Sequence, residues 1–169
     1  MTKFVKCKPS DWQVLQRLST DTFRLAFEAK NEKEDMEQYL KEAFADHQVQ
    51  QELKHPFSSF YFLFADSQLA GYFKLNTKDA QTEFIDQGME LERIYLLPDF
   101  QRRGLGQEIM DFVHQLATEA AVATLWLGVW EENKAAIKFY ERNGFVTFSK
   151  HAFMLGQDRQ IDLLMRKQL

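Results

Sequence analysis

Two apolar periods succeed each other along the chain, one of about 3.6 residues and one of about 2, and each change of period marks an element boundary. Residues 2–7 alternate weakly and predict a first strand, after which Pro9-Ser10-Asp11 supplies the cap of a helix. That helix carries Val14, Leu15, Leu18, Phe23, Ala26 and Phe27 as its core-facing stripe. A charged break at 30–35 separates it from a second short helix marked by Met36, Tyr39, Leu40, Ala43 and Phe44, and Val49 and Leu53 extend helical character toward Pro56. Residues 59–64 and 69–75 are apolar runs joined by Ala65-Asp66-Ser67-Gln68, which predicts an antiparallel hairpin, and a polar loop over 78–88 follows.

The stretch 91–113 is the centre of the pattern. It begins as a strand that ends at Pro98, a residue with no N–H for a ladder hydrogen bond. Leu105, Ile109, Phe112, Val113, Leu116, Ala117 and Ala120 then recur at helical spacing, with Gln107, Glu108, Asp111 and Gln115 opposite. Between the two lies Gln101-Arg102-Arg103-Gly104-Leu105-Gly106, whose glycines remove bulk where the unpaired amides of a helix start point outward. Those amides and the positive end of the helix dipole attract a phosphate, and Arg102 and Arg103 add cationic charge. No Gly-Lys-Ser/Thr follows, so P-loop chemistry is missing; Ile109 stands where a dinucleotide motif would need its third glycine. A pyrophosphate bound without catalytic metal fits the turn.

Further on, residues 124–130 predict a buried strand, 133–143 a helix closed by Gly144, and 145–155 with 161–166 a final strand pair. The order β-α-α-β-β-β-α-β-α-β-β implies an α+β fold with a mixed sheet flanked by helices. With no repeat, low-complexity tract or linker, residues 1–169 are expected to form one domain.

Composition narrows the chemistry. The 45% hydrophobic and 27% charged fractions are ordinary for a globular chain, and sixteen Phe residues point to an aromatic core. Cys7 is the only cysteine, and His47, His55, His114 and His151 have no ligand spacing, so neither a disulfide nor a metal site is expected. A net charge of −4 argues against a nucleic-acid binder and mildly favours cationic partners. The polar N-terminus and the lack of a long apolar run predict a cytoplasmic protein without a membrane partner. Monomer and homodimer remain equally open.

Gln101-x-x-Gly104-x-Gly106 after the Leu96-x-Pro98 strand end resembles the acetyl-CoA signature of the GCN5-related N-acetyltransferase (GNAT) superfamily. A second stretch, Asn133 through Tyr140 to Gly144-Phe145, is similar to the superfamily's asparagine-to-tyrosine helix. Within it, the run Leu125-Trp126-Leu127-Gly128-Val129-Trp130-Glu131 and the chain layout resemble the bacterial spermine/spermidine N-acetyltransferases of the PaiA type. The resemblance implies a GNAT-like fold and direct transfer of the acetyl group of acetyl-CoA to a primary amine, most readily of a polyamine such as spermidine or spermine, in a ternary complex. It also implies that the diphosphate rests on Gln101, Arg102, Arg103, Gly104, Leu105 and Gly106, that the backbone of Ile94, Tyr95 and Leu96 pairs with the pantetheine arm, and that Asn133 and Tyr140 complete the cofactor site. Acetylation of a peptide α-amine or lysine, and non-catalytic acetyl-CoA sensing, are the alternatives.

The chemistry asks for a base and an acid. A primary amine of ordinary pKa is roughly 0.1% neutral or less at pH 7, so a site must desolvate it or take its proton. Strand alternation places Glu90 and Glu92 on one face with Ile94, and Glu92 is the first candidate base, acting directly or through a water. By resemblance, a glutamate here serves as base or amine anchor. Amides near Leu96 are candidates to polarise the carbonyl, and Tyr140 is the candidate acid for the departing thiolate. Asn133 also fits an ordinary N-cap. For a cationic acceptor Glu28, Glu83, Asp86, Glu131 and Glu132 are available, while the acidic residues of the first third read as a solvated helical face. Trp130 is the one tryptophan placed to line an acceptor tunnel.

Overall fold

The periods resolve into seven strands and five helices in the computed structural model, which describes residues Met1–Leu169. The strands are β1 (Thr2–Lys6), β2 (Ser58–Ala65), β3 (Gln68–Thr77), β4 (Gly88–Leu96), β5 (Thr124–Trp130), β6 (Val146–Leu155) and β7 (Asp158–Gln168). The helices are α1 (Trp12–Phe27), α2 (Lys33–Ala43), α3 (Asp46–Lys54), α4 (Leu105–Glu119) and α5 (Lys134–Arg142). They build one mixed sheet in the order β1-β2-β3-β4-β5-β7-β6, in which only β4 and β5 run parallel. The crossover between those two is α4.

Each face of the sheet has its own core. On one face α4 lays Leu105, Ile109, Met110, Val113 and Ala117 against Phe73, Leu91, Leu125 and Leu127. On the other, α1 to α3 bring Leu15, Leu18, Phe23, Met36, Leu40 and Val49 over Phe60, Phe62 and Tyr72. The mixed α+β sheet expected from the order of periods is therefore present.

Three helices, not two, precede β2. The helical pattern running from Met36 to Leu53 breaks at Ala45, whose backbone is extended, and a new helix begins at Asp46. Gln16 in α1 fixes that corner by donating its amide to the Phe44 carbonyl at 2.8 Å and to the Asp46 carboxylate at 2.7 Å. At the C-terminus β6 matches the expected 145–155 to within a residue, whereas β7 is longer than the periodicity predicts and is already paired at Asp158.

The expected sharing of one face by Glu90, Glu92 and Ile94 is corrected by a β-bulge. Lys74 pairs with Arg93 and Leu75 with Leu91, so Glu92 is the extra residue. Past the bulge the alternation is reversed: Ile94 packs with the α4 core and Tyr95 with the core under α1. Glu90 and Glu92 stay together, since both accept from the Asn76 amide, at 3.0 and 3.1 Å.

Candidate active site

β4 and β5 are paired only where Gly88–Glu90 lie beside Thr124–Trp126. Beyond that point β4 runs on to Leu96 and β5 to Trp130 without pairing, so the main-chain groups on the inner edge of β4 have no strand partner. Two cavities of about 390 and 670 Å³ fill the gap and share Tyr95, Trp130, Asn133 and Tyr140 in their walls. Together they run along the gap between the splayed ends of β4 and β5, in the middle of the sheet.

One end of the passage reaches the turn before α4, of which Gln101 and Gly106 line the larger cavity while Arg102, Arg103, Gly104 and Leu105 lie outside both. Arg102 and Gly104 take left-handed backbone conformations, φ 60° and 79°, which curl the chain into the helix start. The amides of Arg102, Arg103, Gly104, Leu105 and Gly106 have no main-chain acceptor, because the first helical bonds come from Gln107 and Glu108 to the Gly104 carbonyl. A β-carbon on Gly104 would meet nothing within 4 Å, so the space over these amides is open. Gln101 turns inward instead and ties the turn to β4 by donating to the Leu96 carbonyl at 3.0 Å. An amide nest with Arg102 and Arg103 beside it fits a diphosphate. Lys30 and Lys134, which the sequence pattern did not single out, also line the larger cavity, Lys30 over the Trp130 ring and Lys134 bonded to the Glu131 carbonyl.

Asn133 is the N-cap of α5: its side-chain oxygen accepts from the Ala136 amide at 3.2 Å. Its amide nitrogen is left free at the wall of both cavities. Ile94, Tyr95 and Leu96 line the larger cavity, and the Tyr95 ring is packed against Tyr72, Phe23 and Phe27. Tyr140 lies where the cavities meet, and its hydroxyl makes no hydrogen bond within the protein. Burial alone pushes its phenol well above the ordinary value, so it stays protonated.

The smaller cavity is acidic and aromatic. Glu90 and Glu92 enter it from β4, Asp162 from β7 and His151 from β6, among Phe27, Tyr39, Trp130 and Phe153. The carboxylates have distinct environments. Burial pushes Glu90 up despite hydrogen bonds from Asn76, from the Thr82 amide at 2.8 Å and from the Thr82 hydroxyl at 2.5 Å. Burial acts on Glu92 as well, but Arg93 and Lys74 outweigh it and leave the carboxyl below its usual range. Lys74 bridges Glu92 and Glu52 beneath the cavity. Asp162 is pushed up by burial, with His151 opposing.

Of the other acidic residues considered for the acceptor, Glu132 lines the larger cavity and Glu83 reaches the smaller one only through His151, at 3.3 Å. Glu28, Asp86 and Glu131 border neither cavity. Asp162 and His151 carried no sequence signal, because only the β6–β7 pairing puts them beside each other. No group of His, Cys, Asp and Glu side chains suited to a metal ion is present, and no helix is long and apolar enough to cross a membrane.

The architecture is that of known acetyltransferases. Over its full length the chain superposes on the PaiA N-acetyltransferase of Thermoplasma acidophilum, solved with coenzyme A, with a TM-score of 0.79 at 20% identity and 99% coverage of that chain. It is 42% identical over 168 residues, 99% of this chain and 97% of the relative, to the "uncharacterized N-acetyltransferase in pepI 3'region" of Lactobacillus delbrueckii subsp. lactis. It is 32% identical over 105 residues, 61% of this chain and 66% of the relative, to the [ribosomal protein bS18]-alanine N-acetyltransferase of Salmonella typhimurium. The model of the acetyltransferase (GNAT) family matches residues 12–145, so with the signature turn, the splayed strands and the Asn133–Tyr140 helix in place, the chain belongs to the GNAT family.

Proposed function

We propose that this GNAT acetyltransferase carries the acetyl group of acetyl-CoA to a primary amine of a small, flexible polycation of the spermidine or spermine kind. The observation that carries the reading is Tyr140, whose unpartnered hydroxyl sits where the amide-rich entrance opens into the carboxylate-lined chamber. When bound, acetyl-CoA supplies an activated thioester. The amides of residues 102–106 hold the diphosphate, and the unpaired inner edge of β4 from Ile94 to Leu96 offers main-chain partners to the pantetheine arm and the acyl carbonyl.

Glu92 serves as an anchor for the acceptor. Lys74 and Arg93 keep its carboxylate ionised, which suits holding an ammonium better than removing its proton. Glu90 is satisfied by Asn76 and Thr82 and positions that wall. Tyr140, protonated at all physiological pH, gives its proton to the departing sulfur.

The walls favour a slender acceptor over a folded protein. Phe27 meets Trp130 at 5.9 Å and Tyr39 meets Phe153 at 5.5 Å, so α1 and α2 close over β5 and β6. The Asp35 carboxylate accepts from the Gln157 amide at 2.8 Å and the Asn31 side-chain oxygen accepts from Gln160 at 2.5 Å, which docks the α1–α2 connection on the β6–β7 turn. A peptide α-amine is the second reading, supported by the likeness to the ribosomal-protein alanine acetyltransferases.

Thiol release from acetyl-CoA, measured with spermidine, spermine, an alanine-terminated peptide and a lysine peptide, tests the acceptor. The polyamines are expected to give the highest kcat/KM; preference for the alanine peptide would replace them. Calorimetric binding of acetyl-CoA with no thiol release for any amine would mark a sensor.

A further inference from the structure

Glu92 and Glu90 leave the proton of the acceptor ammonium without a good destination: one is held below its usual range by two cations, the other is enclosed by three hydrogen bonds. A third carboxylate faces the same chamber. Asp162 pairs with Trp130 in the β5–β7 ladder and leans over Gly128, where an added β-carbon would lie 3.7 Å from its Oδ2. The parallel pairing ends at Glu90 and Trp126, and beyond it Glu92 and Gly128 both line the chamber. Glu92 from β4 and Asp162 from β7 therefore both line the chamber, on the two sides of the gap between β4 and β5.

Behind Asp162 stands an exit. His151 presents Nε2 to Asp162 at 3.7 Å and Nδ1 to Glu83 at 3.3 Å, and the Glu83 side chain is 46% exposed. The chain of groups runs from the buried chamber to solvent. The 3.7 Å gap is longer than a hydrogen bond, and catalytic contacts of this kind commonly tighten only when substrate is bound.

We propose that Asp162 is the catalytic base of this enzyme and that His151 and Glu83 conduct the proton from it to solvent. The inference rests on the amine-acceptor reading given above. The acceptor ammonium, held by Glu92, loses one N–H proton to a carboxylate oxygen of Asp162. The freed nitrogen lone pair forms the C–N bond to the acetyl carbon as the C–S bond breaks; Tyr140 protonates the departing sulfur, and the second proton, shed by the new amide nitrogen, restores the Tyr140 phenol, so that one net proton leaves through Asp162. Asp162 passes its proton to His151 Nε2, and the imidazolium releases the Nδ1 proton to Glu83 and thence to water. Exchange at the partly exposed ring restores the starting tautomer. The other titratable groups around the chamber are Glu90, Glu92, Arg93 and Tyr95 from β4, Tyr39 from α2 and Tyr140 from α5. The raised affinity of Asp162 for a proton, caused by its burial, suits the role.

Thiol release with spermidine, followed from about pH 6.5 to about pH 9.5, tests this, since the amine becomes its own neutral nucleophile as the pH nears ~10. Asp162→Asn is expected to lower kcat/KM about 100-fold near neutrality, the deficit shrinking steadily toward alkaline pH. His151→Ala is expected to lose about 10-fold near neutrality and to regain activity with added imidazole. A wild-type enzyme inactive with every amine would refute the acceptor reading itself. An active wild type with unchanged variants, or with losses equal at every pH and no imidazole rescue, would overturn the relay alone. His151 and Glu83 are both partly exposed, so His151→Ala and Glu83→Gln remain decisive if Asp162→Asn does not fold: no loss in either would overturn the proposal.

Discussion

Gly128 and Asp162 face each other on adjacent strands so closely that the β-carbon Gly128 lacks would lie 3.7 Å from the Asp162 carboxylate and 3.5 Å from Leu164. Both are ordinary contact distances, so Gly128→Ala is expected to keep the fold, with stability within about 1 kcal/mol of wild type by urea unfolding. The methyl group enters the acceptor chamber instead. The KM for the acceptor is expected to rise several-fold while the KM for acetyl-CoA stays put.

Tyr140→Phe removes a hydroxyl that has no partner in the folded chain and leaves the buried ring in place. Thermal unfolding is expected to be unchanged within a few degrees. The kcat for thiol release is expected to fall about 100-fold, as for the loss of a general acid. A kcat equal to wild type would remove Tyr140 from the chemistry.

Gly104→Ala tests the diphosphate nest. The left-handed backbone there costs an alanine about 1 kcal/mol, and no protein atom obstructs the new methyl. Its larger effect falls on the open space above the amides. Acetyl-CoA affinity measured by calorimetry is expected to drop at least 10-fold, with acceptor KM unaffected.

Lys74 holds two carboxylates at once, Glu52 and Glu92, and is only 6% exposed. Glu52 also takes Arg93 at 2.9 Å and keeps its second oxygen buried without a partner. Lys74→Met strips a cation from this cluster. Breaking a buried pair of this sort costs about 3 kcal/mol, to be read from the urea midpoint at constant m-value.

The same cluster sets an acid limit. Burial pushes the Glu92 carboxyl up and Arg93 with Lys74 more than reverse it, so its folded value lies below the unfolded one of ~4.3. A depressed carboxylate stabilises the fold at neutral pH, and that share is lost as the pH falls below about 4.3 through its lower folded value. Glu92→Gln is therefore expected to be less stable than wild type near neutrality and to converge on it in acid, as followed by urea unfolding at successive pH values.

Short-range chemistry was legible in the sequence. The turn Gln101–Gly106 and the cap at Asn133 depend on residues within about one helical turn of each other, so glycine placement, amide exposure and capping can be read from neighbours alone. The hairpin, the signature strand and the two helices that follow were equally local, and with the family resemblance they led to the mixed sheet and to the donor end of the passage. What the tertiary structure decided was convergence. Lys74 and Glu52 are 22 residues apart, Arg93 and Glu52 are 41 apart, and Asp162 meets His151 only through the β6–β7 register. A single bulge at Glu92 sent Ile94 to the opposite face, and one extended residue at Ala45 divided a helix. Register and closure are set by the packing of both sheet faces at once, and no stretch of chain carries that information by itself.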